Sequence, residues 1–351
     1  MLLNLSDSVK CVPIAAGGSG EVGMASKPKI LVTKLLFSAA RAVLDKTGEI
    51  DYWAGPEAIP RTELLKRVAD KDALVCLLND KIDAELLAAG PQLRIVATVS
   101  VGYDNIDVPA CTARKVIATN TPGVLDDTTA DLAWALMLAI ARRLVEGDAW
   151  VRSGNWRGFS MDHLLGADVY GKTLGIIGFG RIGRCVAKRG LGFGMRVLYS
   201  GSKRAPVDVE EELNAEFVEQ DRLFNESDFV SLHVPLNPQT RHLISKENLE
   251  KMKRTAFLIN TSRGPVVDEE ALAEALENKI IAGAALDVFE HEPKINPKLM
   301  ARRDAILAPH IGSATVETRT RMMVLAAQNV AAFFDGRTPP KALNKDALGL
   351  K

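Results

Sequence analysis

The sequence predicts an α/β protein with two parallel sheets, and three observations support this prediction. The chain has 351 residues, enough for about two domains that each bury a hydrophobic core. Short apolar runs alternate with helical patterns along most of the chain, which is typical of βαβ units on a parallel sheet. One glycine-rich loop joins such a run directly to a helical pattern, as at the first turn of a βαβ unit.

The composition is that of a folded protein without an excess of either charge. Hydrophobic residues make up 47% and charged residues 25% of the chain, which argues against disorder. Lys plus Arg and Asp plus Glu both number 44, so no basic surplus is available to bind nucleic acid or an anionic membrane. We therefore expect neither of these partners.

The cysteines and the apolar segments both point to the cytoplasm. The longest purely apolar run, Leu132 to Ala141, has ten residues, about half of the ~20 needed to cross a bilayer. Met1 to Gly23 lacks the pattern of a signal peptide. The cysteines form no C-x-x-C pair, so neither a disulfide framework nor a metal site is expected. They are Cys11, Cys76, Cys111 and Cys185.

Residues 1–28 are predicted to be a flexible N-terminal extension, because glycines crowd together there and Pro28 precedes the first convincing strand. Turn residues at 120–123 indicate a domain boundary, after which Thr128 and Asp131 offer a capping box for a helix over 132–144.

The elements of the first sheet are predicted between Pro28 and the boundary at 120–123. They are strand Ile30 to Thr33, helix Phe37 to Leu44, strand Ala73 to Leu78, helix Ile82 to Ala88, strand Leu93 to Val96 and a closing run Val116 to Ala118.

A later series of apolar runs predicts the second sheet. No strand follows the last helical pattern, Val316 to Phe334, so this helix is free to cross back and pack on the first domain. The predicted strands are Thr173 to Ile177, Val197 to Tyr199, Phe229 to Val234, Ala256 to Asn260, Ala282 to Leu286 and Ile306 to Ala308.

The pattern G-x-G-x-x-G occurs twice, and only one copy has the right context. The copy at 18–23 precedes a strand rather than a helix, so we expect it to bind nothing. The copy at 178–183 follows a strand and leads into a helical pattern. There Gly178 makes the tight turn, Gly180 lets the backbone approach a pyrophosphate, and Gly183 allows close packing of the helix on the strand. A pyrophosphate would lie at the helix N-terminus, so this loop predicts a dinucleotide site.

The end of the next strand bears on the choice of cofactor. An NAD-binding unit would carry an acidic residue there, but the sequence has Ser200, Ser202, Lys203 and Arg204. Hydroxyls and cations attract a 2′-phosphate that a carboxylate would repel. The loop therefore favours NADP(H) over NAD(H). A solvated basic loop is the alternative, because acidic residues follow at 208, 210 and 211.

An enzyme that reduces a 2-oxo acid with a nicotinamide cofactor needs a proton donor and a cation for the carboxylate. Among five histidines, His310 lies just beyond a strand end, where open α/β sheets bind ligands. Glu292 is a candidate charge partner, since a carboxylate favours the imidazolium. Arg263 follows another strand, and its guanidinium matches a carboxylate. From the residues alone, each of the three is also compatible with a structural role.

Six motifs in order make the chain similar to the D-isomer-specific 2-hydroxyacid dehydrogenase family, and within it to the glyoxylate/hydroxypyruvate reductase group. The resemblance covers about residues 29–340. It rests on V-G-Y-D-N-I-D at 101–107, N-T-P-G at 120–123 running into D-T-T-A-D at 127–131, the glycine loop at 178–183, N-T-S-R-G at 260–264, L-D-V-F-x-x-E-P at 286–293 and P-H-I-G-S-A-T at 309–315.

The resemblance implies a catalytic set of Arg263, Glu292 and His310, in which His310 donates the proton and Glu292 orients it. It implies that the backbone amides of Val101 and Gly102 hold the substrate carboxylate at a site that Arg263 and His310 share. Further positions implied to line the dinucleotide are Gly180, Arg181, Ile182, Pro235, Thr261 and Asp287.

The resemblance also implies the domain organisation and the assembly. A Rossmann dinucleotide-binding domain of residues 120–315 would be inserted into a flavodoxin-like substrate-binding domain made of 29–119 and 316–351. Family members of this kind are typically homodimers, so a homodimer is expected.

The predicted function is NADPH-dependent reduction of glyoxylate or hydroxypyruvate to the D-2-hydroxy acid. Leu77 and Leu78 resemble the apolar pair of hydroxypyruvate reductases, whereas residues 193–195 and 214–216 resemble bacterial 2-ketogluconate reductases. Reduction of 2-ketogluconate is therefore the alternative activity. Corepressors of the same fold keep the same triad, which leaves a dinucleotide-sensing interaction protein as a further alternative.

Overall fold

The structure, a computed structural model, describes residues 27–350. The first 26 residues of the predicted extension, with the glycine pattern at 18–23 and Cys11, lie outside the described residues. The described chain forms two parallel sheets with helices packed on them, which confirms the predicted fold class. None of its helices is long and apolar enough to cross a membrane.

The first sheet has five strands in the order β2-β1-β3-β4-β5, all parallel. Its central strands are apolar and buried on both faces, as a sheet covered by helices on both sides requires. The strands are β1 Lys29–Val32, β2 Glu49–Tyr52, β3 Ala73–Cys76, β4 Ile95–Thr98 and β5 Ile117–Thr119. The helices in this part of the chain are α1 Ser38–Thr47, α2 Arg61–Arg67, α3 Ala84–Ala89 and α4 Val108–Ala113.

The second sheet has seven parallel strands in the order β12-β11-β10-β9-β6-β7-β8. The order reverses between β6 and β9, and such a reversal opens a crevice at the carboxyl ends of the strands. The strands are β6 Thr173–Ile177, β7 Arg196–Ser200, β8 Ala215–Phe217, β9 Phe229–Leu232, β10 Phe257–Asn260, β11 Gly283–Leu286 and β12 Ala305–Leu307. The helices are α5 Asp126–Ala141, α6 Leu144–Arg152, α7 Arg181–Gly192, α8 Val207–Leu213, α9 Gln220–Glu226, α10 Lys246–Glu250, α11 Glu269–Glu277, α12 Pro297–Met300 and α13 Val316–Phe334.

Helix α13 returns to the first sheet after the second sheet is complete. It packs against α1, and its Met322, Ala326 and Val330 are buried in one core with Ile30 and Ile95. The chain beyond α13 then covers the edge strand β5, because the amide of Leu343 donates to the carbonyl of Ala118 (2.8 Å). An edge covered in this way cannot pair with another strand.

Helix α5 differs from the sequence prediction at its start. It begins at Asp126 rather than at Leu132, so Thr128 and Asp131 lie inside the helix and form no capping box. The Thr128 hydroxyl instead lies 2.6 Å from the hydroxyl of Thr318 in α13. This contact joins α5, which packs on the second sheet, to α13, which packs on the first.

Candidate active site

The loop at 178–183 forms a tight turn between β6 and α7 with open space above it. Gly178 has a φ of +94°, and its amide donates to the carbonyl of Ser200 (2.8 Å). A Cβ on Gly183 would strike the carbonyl oxygen of Gly178, whereas a Cβ on Gly180 would meet nothing within 4 Å. The space over Gly180 is therefore open, and Arg181 and Ile182 begin α7 with amides that have no carbonyl partner in the helix. These features fit a pyrophosphate at the start of α7.

The loop after β7 contains one cation that is already paired. The guanidinium of Arg204 contacts Glu210, with Nη2 2.8 Å from Oε2, and the buried Tyr199 hydroxyl donates to the same carboxylate. Ser200 is only 5% exposed, whereas Ser202 and Lys203 are exposed. Lys203 forms no ion pair with any residue in the part of the chain that the structure describes.

A surface cavity of about 430 Å³ opens beside Ser200 and Gly201. Phe217 lines it, and so do Glu219 and Asp221. The predicted 2′-phosphate loop thus adjoins a cavity lined by carboxylates, and their negative charge limits the attraction that the loop offers to a phosphate.

His310 and Glu292 come together just beyond the carboxyl ends of β11 and β12. His310 Nδ1 lies 2.8 Å from Glu292 Oε2, and Glu292 Oε1 accepts from the amide of Phe289 (3.0 Å). Burial acts to raise the pKa of Glu292, but the hydrogen bond and the charge of His310 outweigh burial, so this pKa lies below its usual value. Because Nδ1 is engaged, His310 Nε2 is left to face a ligand, and no described residue bonds to it.

The backbone around His310 is held in an uncommon conformation. His310 has a φ of +53°, a region that few residues other than glycine adopt. Asp287 is 1% exposed, and its two oxygens accept from the amides of Ile311 and Gly312 (both 2.7 Å). Burial raises the pKa of Asp287. Asp287 therefore fixes the loop that carries the imidazole, and its predicted contact with the dinucleotide stays a prediction.

Arg263 follows β10 in a turn shaped by Asn260. The Asn260 side chain accepts from the amide of Ser262 (3.0 Å) and donates to the carbonyl of Arg263 (3.0 Å). Arg263 Nε donates to Asp104 Oδ1 (2.8 Å), and Nη1 donates to the carbonyl of Ser262 (2.9 Å). Since Asp104 follows β4, this ion pair joins a loop of the first sheet to a turn of the second, and we call the region where these two segments meet the cleft.

The predicted carboxylate-binding amides lie on the opposite side of the same cleft. Asn120 donates to the carbonyl of Val101 (2.7 Å), and Ser100 donates to the carbonyl of Gly102 (2.6 Å). Both carbonyls are thereby held in place, and the amides of Val101 and Gly102 bond to no described residue. A Cβ on Gly102 would overlap the Arg263 guanidinium, so these predicted substrate-binding groups are in contact.

Two other histidines are poor candidates for the proton donor. Burial of its ring lowers the pKa of His233 to about 3, so this imidazole is neutral at working pH. His242 Nε2 is occupied by Glu290 Oε1 (2.6 Å). His310 differs from both because it lies just beyond the carboxyl ends of β11 and β12, with Glu292 on Nδ1 and with Nε2 bonded to no described residue.

Three further residues predicted to line the dinucleotide lie at the carboxyl edge of the second sheet, and their contact with it stays a prediction. Thr261 is buried, and its hydroxyl has no hydrogen-bond partner within residues 27–350. Pro235 is exposed, and Ile182 packs against the cores of both sheets.

Asp104, the partner of Arg263, was not predicted as a site residue. The signal in the sequence that pointed to it was its place in the motif at 101–107.

Comparison with known proteins identifies relatives along nearly the whole chain. Residues 134–312 match the model of the family described as D-isomer specific 2-hydroxyacid dehydrogenase, NAD binding domain. A glyoxylate reductase of Thermococcus litoralis is 52% identical over 92% of this chain and 98% of its own.

Two solved structures share the fold. A glyoxylate reductase from Paecilomyes thermophila has a TM-score of 0.83 and 33% identity over 92% of this chain and 100% of its own. The NADPH-dependent glyoxylate/hydroxypyruvate reductase from Sinorhizobium meliloti, solved with NADP and malonate, has a TM-score of 0.79 and 31% identity over 91% of this chain and 97% of its own.

Proposed function

The chain belongs to the D-isomer specific 2-hydroxyacid dehydrogenase family, and from this premise we propose that it reduces glyoxylate or hydroxypyruvate to the D-2-hydroxy acid with NADPH. Its relatives include enzymes named glyoxylate reductase at about half identity over nearly the whole chain. The observation that carries the proposal is the His310–Glu292 pair at 2.8 Å, in which Nε2 of His310 bonds to no described residue. The charge of Arg263 also acts on Glu292 and helps to lower its pKa.

His310, Glu292 and Arg263 each have a separate role in the proposed reduction of a 2-oxo acid. When bound, a reduced nicotinamide dinucleotide supplies the hydride that the carbonyl carbon accepts. His310 Nε2 donates the proton to the carbonyl oxygen, and the Glu292 carboxylate stabilises the charged imidazole before transfer. Arg263 and the amides of Val101 and Gly102 hold the substrate carboxylate and polarise the carbonyl.

NADPH is the proposed cofactor because the end of β7 has no acidic side chain. Ser200 occupies the position, and the exposed Ser202 and Lys203 follow it. A carboxylate at that position would repel a 2′-phosphate. The pairing of Arg204 with Glu210 leaves Lys203 as the cation available to attract the phosphate.

We also propose a homodimer that buries an apolar surface formed by α6 and the segment after it. Large exposed apolar patches mark interaction sites. Phe159 is 87%, Met161 81% and Tyr170 74% exposed. The other exposed members of this surface are Leu144, Val145, Trp150, Val151, Trp156 and Leu165. Light scattering should give a dimer for the wild type and a monomer for Phe159→Asp/Met161→Asp, and a monomeric wild type would contradict the assembly.

Location in the cytoplasm is the last part of the proposal. Among the described residues Cys76, Cys111 and Cys185 are free thiols, and burial raises the pKa of Cys111 to about 12. Unreactive thiols of this kind suit a reducing compartment.

A spectrophotometric assay of NADPH oxidation tests the function directly. The panel should contain glyoxylate, hydroxypyruvate and 2-ketogluconate at one pH and ionic strength. We expect turnover with one of the first two. Faster turnover with 2-ketogluconate would reassign the substrate, and tight NADPH binding without any turnover would favour a dinucleotide-sensing role.

A further inference from the structure

The ion pair between Asp104 and Arg263 joins residues that are 159 positions apart in the chain. Asp104 lies in the loop after β4 of the first sheet, and Arg263 lies in the turn after β10 of the second. Their side chains are 34% and 19% exposed, so the pair is partly shielded from water and is screened less than a surface pair. It bridges the two walls of the cleft where the substrate is proposed to bind.

The three guanidinium nitrogens of Arg263 have different surroundings. Nε donates to Asp104 and Nη1 donates to the carbonyl of Ser262. Nη2 bonds to no described residue and lies so close to Gly102 that a Cβ there would overlap it. Two anchored nitrogens thus turn the third toward the unbonded amides of Val101 and Gly102.

We propose that Asp104 is a positioning residue that holds Nη2 of Arg263 beside these two amides, so that the carboxylate site is assembled from both domains. The inference rests on the proposed function, because it takes the bound group to be the carboxylate of a 2-oxo acid. A long arginine side chain has many rotamers, and Asp104 selects the one that points into the cleft. Preorganisation of this kind favours binding and the transition state.

The negative charge of Asp104 predicts a difference between two substitutions. Asp104 stands near the proposed site of an anion, so its charge opposes binding while its oxygen supplies the acceptor for Arg263 Nε. Asp104→Asn keeps an acceptor oxygen and removes the charge. Asp104→Ala removes both. If positioning is what matters, asparagine should rescue most of what alanine loses.

Kinetics with glyoxylate and NADPH test this proposal. Asp104→Ala should raise KM and lower kcat, with a loss in kcat/KM of roughly 10- to 100-fold, the scale of misplacing a substrate-orienting group. Asp104→Asn should stay within about fivefold of wild type, since its acceptor is retained. In an Arg263→Ala background, Asp104→Ala should add almost nothing, because a coupled pair is not additive.

The control is Asp51→Ala, which removes an equally exposed carboxylate (34%) from Arg67 at the edge of the first sheet. It should leave the kinetics unchanged. An additive double variant, or an Asp104→Ala enzyme with wild-type kinetics, would overturn the proposal. A wild type without activity on any 2-oxo acid would instead overturn the proposed function.

A crystal structure of Asp104→Ala decides the inference without any activity measurement. We expect the Arg263 guanidinium to leave Gly102 in that variant and to remain there in Asp104→Asn. An Arg263 side chain in the same place in both variants would show that Asp104 does not position it.

Discussion

Nδ1 of His310 lies 2.8 Å from Oε2 of Glu292, although the two residues are 18 positions apart. His310 lies just after the end of β12, and Glu292 lies in the loop after β11. Contact on the Nδ1 side fixes which ring nitrogen faces the cleft. Under the proposed function, Nε2 is the ring nitrogen that would donate a proton to the carbonyl oxygen of the substrate.

Replacing His310 with asparagine should lower kcat for glyoxylate by roughly 10²- to 10⁴-fold, the usual range for loss of a positioned acid. NADPH binding should stay within a few-fold of wild type, because the imidazole is not part of the glycine loop. Steady-state kinetics and fluorescence titration with NADPH measure the two effects. His242→Asn is the control, since His242 Nε2 is occupied by Glu290. Equal losses in the two variants would contradict the role of His310.

Glu292→Gln should change the pH profile more than the maximal rate. Although burial opposes it, the hydrogen bond and charge of His310 hold the pKa of Glu292 below its usual value, so its carboxylate is charged throughout the neutral range. In the wild type the rate should fall at acid pH as Glu292 is protonated, and this fall should be absent in Glu292→Gln, which keeps an acceptor for Nδ1 but has no titrating carboxyl group. The measurement is kcat/KM for glyoxylate from about pH 3 to about pH 10. A profile that superimposes on the wild type would remove Glu292 from the mechanism.

Part of the site could be read from the sequence because each element there has a strong local signal. The bounds of β6 and α13 agree with the prediction, Thr173–Ile177 and Val316–Phe334. An apolar run followed by G-x-G-x-x-G, and a long amphipathic run without a following strand, are signals that few other structures produce.

Other parts carry no such signal. The edge strand β2 has no buried residue, and helix α6 exposes its apolar side chains, so neither follows the usual burial pattern. Helix α5 starts earlier than predicted because acidic residues, Asp126 and Asp127, occupy its first turn. The ion pair Asp104–Arg263 joins distant parts of one chain, and no local pattern in a single sequence specifies it.

Gly180 and Gly183 of the dinucleotide loop are needed for different reasons, cofactor binding and packing, and two alanine variants test these reasons separately. Gly180 has a φ of −76° and open space around its Cβ position, so Gly180→Ala should fold normally and bind NADPH at least tenfold more weakly, since the methyl group occupies space needed for close approach of the pyrophosphate. Gly183→Ala should lower the melting temperature, because its Cβ would strike the carbonyl of Gly178.

Thermal unfolding and NADPH titration of both glycine variants make this test. Alanine at an ordinary helix position is more stable than glycine, so a lower melting temperature in Gly183→Ala can only come from the clash. Undiminished NADPH affinity in Gly180→Ala would mean that the pyrophosphate does not approach this backbone.

The proposed preference for NADPH concerns the loop after β7, whose charges are partly cancelled. Arg204 is paired with Glu210, whereas Lys203 forms no ion pair within residues 27–350, so Lys203→Ala should reduce the preference for NADPH more than Arg204→Ala does. A charge-assisted hydrogen bond contributes about 1.5 to 3 kcal/mol, so one contact to the 2′-phosphate gives a wild-type preference of roughly tenfold or more.

Ser200→Asp should reduce NADPH use and hold or improve NADH use, since a carboxylate accepts from the ribose hydroxyls and repels the phosphate. The measurement is kcat/KM for both cofactors at one fixed ionic strength, because salt screens this attraction. If the wild type prefers NADH, or if Ser200→Asp leaves the ratio unchanged, the loop does not recognise the 2′ position.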